Sequence, residues 1–134
     1  MSEYRILVVD DSKISRVMVR KALQGITVEY EEADNGQSAV NIHADAFERA
    51  TPHDLIIMDI TMDIMDGMEA AQAILQRHPS ARIIMLSALK DPDSIQQCID
   101  LGVLDYLTKP FQAGDLRTAV FNALAIDPAG IQTA

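Results

Sequence analysis

Asp10, Asp11, Asp59, Ser87 and Lys109 are the side chains of this sequence whose types and positions point to shared chemistry. Each follows or closes a short apolar run. Ile6-Leu7-Val8-Val9 leads into Asp10-Asp11, Leu55-Ile56-Ile57-Met58 into Asp59, Ile83-Ile84-Met85-Leu86 into Ser87, and a weaker run, Leu104 to Leu107, toward Lys109-Pro110. Runs this short and this apolar read as strands with both faces covered. In an open parallel sheet, ligands bind beyond the carboxyl ends of the strands, near the switch in strand order. The acids, the hydroxyl and the lysine are therefore expected in one place. Three carboxylates do not gather unaided, because two unit charges 4 Å apart repel by roughly 4 kcal/mol at an effective dielectric of 20. A proton, a cation or Lys109 must relieve them. Magnesium suits a solvent-open set of hard oxygens. A carboxylate, a divalent cation, a lysine and a hydroxyl together suit attack of an aspartate on phosphorus to give an aspartyl phosphate. No Gly-rich loop able to cradle a nucleotide is present.

The elements that must position these groups are legible between the runs. Thr27 to Ala33 alternates as a half-exposed edge strand does. Ser12 caps a first helical pattern with Ile14, Val17, Met18, Ala22 and Leu23 on its apolar side, and Asn35 caps a second with Ala39, Val40, His43 and Phe47. Asp66 with Glu69 forms a capping box ahead of Met68, Ala71, Ile74 and Leu75. Asp91-Pro92 opens a fourth helix, with Ile95, Cys98 and Ile99, which Gly102 stops. Leu116, Ala119, Val120, Ala123 and Leu124 mark a fifth, with Gly114 a weak point near its start. Strict strand–helix alternation predicts parallel strands in a three-layer α/β sandwich.

Composition narrows the function classes. Eleven basic residues against 20 acidic ones leave a net charge of −9, which works against nucleic-acid binding. The single cysteine, Cys98, excludes an internal disulfide and a Cys-based zinc site, and reads as core. No apolar run reaches the roughly 18 residues of a membrane span. Met1 to Arg5 lacks signal-peptide anatomy, so a reducing cytoplasmic setting is expected. His43, His53 and His78 have no metal-ligand spacing and read as a helix, a loop and a helix-end residue. Met62, Met65 and Met68 read as local packing. Lys13, Arg16, Arg20 and Lys21 make the first helix basic, as a solvated face or a docking face.

The blocks Val8-Val9-Asp10-Asp11-Ser12, Ala33-Asp34-Asn35-Gly36, Leu55 to Ile60, Met65-Asp66-Gly67, Ser87-Ala88 and Asp105 to Phe111, in this order, resemble the receiver domain of response regulators, CheY-like in length and spacing. The resemblance covers residues 4 to about 126, giving a domain over 1–126 and a tail or linker stub over 127–134. It implies a flavodoxin-like, doubly wound sheet of five parallel strands in the order 2-1-3-4-5, and a cis Lys109-Pro110 bond. Asp59 matches the phosphoacceptor, ahead of its neighbours Asp63 and Asp66. Asp10, Asp11, Asp59 and the backbone carbonyl of Thr61 match the ligands of Mg2+, with Mn2+ a substitute. Lys109 matches the lysine that pairs with the phosphoryl group. Ser87 and Tyr106 match the hydroxyl and the aromatic ring that move together on activation.

The implied partners are a sensor histidine kinase or histidine phosphotransfer protein, met by Ser15, Met18, Val19 and Phe111. An output partner or second copy would use the face of helix 4, strand 5 and helix 5. The implied role is a phosphorylation switch that assists only its own phosphorylation and dephosphorylation. The alternative is a phosphatase similar to the haloacid dehalogenases, which place a second acid two residues after the nucleophile, where this sequence has Thr61. A docking-only pseudo-receiver would not need the full acid set. One departure stands out: Asp63 occupies the position, four after Asp59, where the family usually has proline. Its carboxylate is expected to face outward, since the three acids already present suffice for a cation that keeps several waters.

Overall fold

The computed structural model describes residues 4–125. The strands are β1 (Tyr4–Val9), β2 (Val28–Ala33), β3 (Leu55–Met58), β4 (Ile83–Ser87) and β5 (Asp105–Thr108). They alternate with the helices α1 (Lys13–Ala22), α2 (Gly36–Glu48), α3 (Gly67–Arg77), α4 (Pro92–Leu101) and α5 (Ala113–Leu124). All strand pairs are parallel, in the order β2-β1-β3-β4-β5, as expected. Residues 126–134, and with them the proposed tail, lie outside the described residues.

Side chains of successive strand residues point to opposite faces, and this divides the core in two. Leu7, Val9, Ile56, Met58, Ile83 and Met85 meet α2, α3 and α4 on one face. Ile6, Val8, Leu55, Ile57, Ile84 and Leu86 meet α1 and α5 on the other. β3 and β4 are buried throughout, so both faces must be apolar there, while β2 and β5 are half-open edges. Each fully buried Ile or Leu contributes about 1.5–3 kcal/mol, and truncating Ile57 to Ala would cost about 2–5 kcal/mol.

The predicted caps form. Ser12, Asn35, Asp66 and Asp91 accept from the amides of Ser15, Ser38, Glu69 and Ser94, and Gly102 ends α4 in the left-handed region. α5 includes Gly114 without interruption. The helical stripes are narrower than predicted. Ile14 is 74% exposed, and Met18, Phe47 and Ile99 are also open to solvent. Each continues the right periodicity, but it stands at the margin of its stripe and joins neither buried cluster.

Two close approaches set the loop that follows β3. Gly67 donates its amide to the Ile60 carbonyl, at 2.7 Å, and a Cβ there would overlap the Asp59 carbonyl. Gly36, at the start of α2, donates to the Met65 carbonyl, at 2.9 Å, and a Cβ there would overlap it. The loop is thereby pinned from both sides just beyond Asp59. Met62, Met65 and Met68 pack against the core at this point, as local packing predicted.

Candidate functional site

The carboxyl ends of β1, β3, β4 and β5 deliver their polar residues to one concavity. Asp10 and Asp59 are buried, and Asp11 is exposed beside them. Each of the three offers a carboxylate oxygen, and these oxygens lie within 4.8 Å of one another. Asp10 Oδ1 accepts from the Ser12 amide at 2.9 Å, and its Oδ2 accepts from Lys109 Nζ at 2.6 Å. Lys109 Nζ also donates to Asp59 Oδ2 at 3.4 Å, while Asp59 Oδ1 accepts from the amide of Ile60 at 2.8 Å. The Lys109-Pro110 bond is cis, as expected.

The charges are unbalanced by design of the sheet ends. Burial, with the neighbouring Asp10 charge, raises the Asp59 carboxyl above its ordinary range, against the opposing pull of Lys109 and the Ile60 amide. For Lys109 burial works against the charged form, but the hydrogen bond to Asp10 and the charges of Asp59 and Asp10 outweigh it, and its pKa is raised. One ammonium therefore serves carboxylates that a second cation would share. A divalent ion that prefers hard oxygens and keeps waters suits this donor set.

Ser87 closes β4 and is buried; its Oγ accepts from the Leu89 amide at 3.2 Å. The Tyr106 ring packs against the core, and its hydroxyl donates to the Leu89 carbonyl at 2.6 Å. Ser87 and Tyr106 thus meet the same loop residue. Burial raises the Tyr106 phenol above its usual range, and a hydrogen bond with Ser87 lowers it again in part. Thr61 is exposed in the loop after Asp59. Asp63 is exposed and outside the acid cluster, in keeping with the outward orientation.

Ser15, Met18 and Phe111 line a hollow of about 380 Å3 with Ala88, Lys109 and Pro110, directly beside the acids. Val19 does not join them. It is 2% exposed, packed in the core beneath α1, so the expectation that it meets a partner is corrected: one residue along a helix turns about 100° and moves a side chain from rim to core. The basic stretch of α1 also divides. Lys13 and Lys21 are exposed, whereas Arg16 and Arg20 pair with Glu32 of β2. The signal was present in the sequence: arginines one turn apart, facing an edge strand that carries Glu29, Glu31 and Glu32.

The three histidines, read separately from the sequence, come together. His43 of α2 and His53 ahead of β3 meet Nδ1 to Nδ1 at 3.2 Å, His53 Nε2 reaches Glu31 at 2.8 Å, and His78 lies edge-on to His43 and stacked on Phe47. No spacing rule could find this, because the residues come from four elements.

Residues 6–121 match the family described as the response regulator receiver domain. The chemotaxis protein CheY of Bacillus subtilis is 39% identical over 123 residues, which span 90% of this chain and 98% of that protein. The BeF3-activated receiver domain of DrrB superposes with a TM-score of 0.77 at 26% identity, over 93% of this chain and 99% of that one. CheY of Borrelia burgdorferi, in a complex with CheX, BeF3 and Mg2+, superposes with a TM-score of 0.83 at 24% identity, over 90% and 89% of the two chains, and shows the shared fold. Between a receiver and a phosphatase of the haloacid-dehalogenase kind, the match decides for the receiver. Phosphorylation on aspartate and binding of Mg2+ are general in this family, whose members are switch modules of two-component systems. This chain belongs to the response regulator receiver domain family.

Proposed function

We propose that Asp59 is the phosphoacceptor of this receiver and that Asp10, Asp11, Asp59 and the Thr61 carbonyl hold Mg2+, or Mn2+ in its place. The observation that carries this reading is the Asp59 carboxylate clustered with those of Asp10 and Asp11, with the Lys109 ammonium bridging Asp10, at 2.6 Å, and Asp59, at 3.4 Å. An Asp59 oxygen attacks the phosphorus of a phosphohistidine; the new O–P bond forms as the P–N bond breaks, and the departing imidazole takes up a proton. Bound Mg2+ supplies charge neutralisation for the transferring group. Lys109 pairs with a second phosphoryl oxygen, and the Ser87 hydroxyl turns from Leu89 to donate to a third. Tyr106 follows, altering the face of α4, β5 and α5 where an output partner or a second copy docks.

The donor, a sensor histidine kinase or a histidine phosphotransfer protein, is met by the hollow of Ser15, Met18 and Phe111 next to the acids. The chain works in the cytoplasm as a switch that assists only its own phosphorylation and dephosphorylation. Among the described residues no helix is long and apolar enough to cross a membrane. The net charge of −9 argues against a nucleic-acid partner for this domain.

Incubation with a small acyl phosphate and Mg2+, read by intact mass and peptide mapping, tests the assignment. One phosphoryl group on Asp59, abolished by chelation of Mg2+, is expected. Undiminished labelling of an Asp59→Asn variant overturns it. Sustained release of phosphate from small phosphoesters would favour a hydrolase instead. BeF3, which activates the DrrB receiver domain, should likewise bind the wild type and not Asp59→Asn.

A further inference from the structure

Asp10 and Asp11 are consecutive, and consecutive residues of a strand point to opposite faces. Their carboxylates nevertheless converge with that of Asp59. The peptide between them must therefore leave strand geometry immediately after Asp10. The ladder shows where it leaves: the Asp10 amide still donates to the Ala33 carbonyl of β2 at 3.0 Å, and the Val9 carbonyl still accepts from the Asp59 amide at 2.9 Å. The Asp10 carbonyl has turned away from both neighbouring strands. It accepts instead from Arg16 Nη1, at 2.5 Å.

Arg16 reaches that carbonyl from the first turns of α1, and its own guanidinium is fixed. Nε donates to Glu32 Oε1 of β2 at 2.9 Å, and the Arg20 guanidinium lies 3.4 Å from the other Glu32 oxygen. The Arg16 side chain is 16% exposed, too enclosed to belong to the solvated face of the helix. A planar guanidinium donates from separate nitrogens held in a rigid fork, whereas the donors of an ammonium rotate about a single atom. The fork therefore ties the peptide that carries Asp11 to a framework strand. Asp11 itself is exposed, and no protein hydrogen bond to its carboxylate is present among the described residues.

We propose that Arg16, braced by Glu32, is a positioning residue: by holding the Asp10–Asp11 peptide out of strand geometry it aims the Asp11 carboxylate at the Asp10–Asp59 focus, and so sets the affinity for the divalent cation. This rests on the reading of the acids as a Mg2+ site. Arg16 touches neither phosphoryl group nor cation, and its effect passes through Asp11. Loss of the fork lets the peptide rotate, and Asp11 then spends part of its time away from the focus.

The test is a double-mutant cycle on Mg2+ affinity, measured by calorimetry on the full chain. Arg16→Ala is expected to weaken Mg2+ binding at least fivefold, while the rate of acyl-phosphate labelling at saturating Mg2+ stays within about twofold of wild type. Glu32→Gln is expected to weaken Mg2+ binding by a smaller factor. In an Asp11→Asn background, Arg16→Ala should change Mg2+ affinity less than twofold, because the carboxylate it aims is gone. Thermal unfolding of each variant is followed in parallel. A lowered Tm with unchanged Mg2+ affinity in Arg16→Ala overturns the proposal and makes Arg16 only structural. Full additivity of the two substitutions overturns the route through Asp11. If the wild type itself binds no Mg2+, the reading of the acid site fails first, and that failure is separate from this one.

Discussion

At the carboxyl ends of the strands, three carboxylates cluster about one ammonium, which pairs with two of them; at the opposite end of β3, His43, His53 and Glu31 form a chain of hydrogen bonds beside His78. Both places bury titratable groups, yet they solve the problem of burial differently. In the histidine knot two contacts are hydrogen bonds, His43 to His53 and His53 to Glu31, and His78 joins through its ring alone. Glu31 accepts from His53 Nε2–H, which leaves His53 Nδ1 to accept from His43 Nδ1–H, while His43 Nε2 and His78 Nδ1 are buried without a partner among the described residues. The ring centroids of His43 and His53 are 5.5 Å apart with the nitrogens 3.2 Å apart, so the rings meet end to end across one proton and do not converge on a third atom. Burial, with the nearby His53 and His78, lowers the His43 pKa to about 4, and that ring is neutral at neutral pH. At the acid end like charges face each other, and a cation is called for. The histidine end relieves burial by neutrality; the acid end, on the reading proposed above, does so by binding a cation.

The largest way to break this contrast is to take the lone ammonium away. Lys109→Met leaves the Asp10 and Asp59 charges buried together, and is expected to lower unfolding free energy by about 2–4 kcal/mol in urea titrations. Mg2+ should restore part of that loss, since it binds only the folded state. A variant as stable as wild type without Mg2+ would show that the acids do not need the lysine.

The pH dependence sharpens the contrast through its sign. The folded pKa of His43 lies below the unfolded value of 6.5, so its contribution to stability is complete above 6.5 and is lost as pH falls toward about 4. The unfolded chain takes the proton first in that window. The loss amounts to about 3 kcal/mol, and His53, whose pKa is also lowered, first of all by burial, adds in the same direction. His43→Gln should flatten the slope between pH 6.5 and 4, read from urea midpoints; an unchanged slope would assign it to other groups.

Asp59 has the opposite sign. Its raised folded pKa means that its contribution is lost as pH rises through that value, so the ionised form costs stability at neutral pH. Asp59→Asn is expected to abolish labelling and yet stabilise the fold by about 1–2 kcal/mol at pH 7. A destabilised Asn variant would mean that Lys109 already compensates the charge in full.

The smallest expected effect lies in the loop between them and the solvent. Ile64 has a φ of 71°, in the left-handed region that a β-branched residue rarely adopts, closed by a hydrogen bond from the Met65 amide to the Asp63 carbonyl at 2.8 Å. Its side chain is 83% exposed, so no packing compensates. Ile64→Gly should stabilise the protein by about 1 kcal/mol, the strain relieved less the added freedom of the unfolded chain. A neutral or destabilising result would mean that the side chain makes contacts that outweigh the strain.

How much of this was legible in advance follows from the range of each interaction. Ser12, Asn35, Asp66 and Asp91 act within their own turn, and all four caps form at the predicted residues. The apolar runs act within a strand, and each became one to within a residue or two. Alternation of strand and helix, with the right-handed crossover, places the strand ends together, so Asp10, Asp11, Asp59, Ser87 and Lys109 were expected in one region before any coordinate. What lay beyond was set by which element stands next to which. Val19 and Met18 are neighbours in sequence, both apolar, yet one packs in the core and the other lines an open hollow. Arg16 reads as one more base on a basic helix until β2 is placed beside it, and His43 and His53 join Glu31 in a chain of hydrogen bonds only when α2, β2 and the start of β3 are packed together. Local hydrogen bonding and hydrophobic period are written along the chain, and so the sequence alone determined the elements, their order and the polar residues at their ends. Pairwise electrostatics and the side of a helix that finds a core depend on distances across the sheet, and only the tertiary structure decided those.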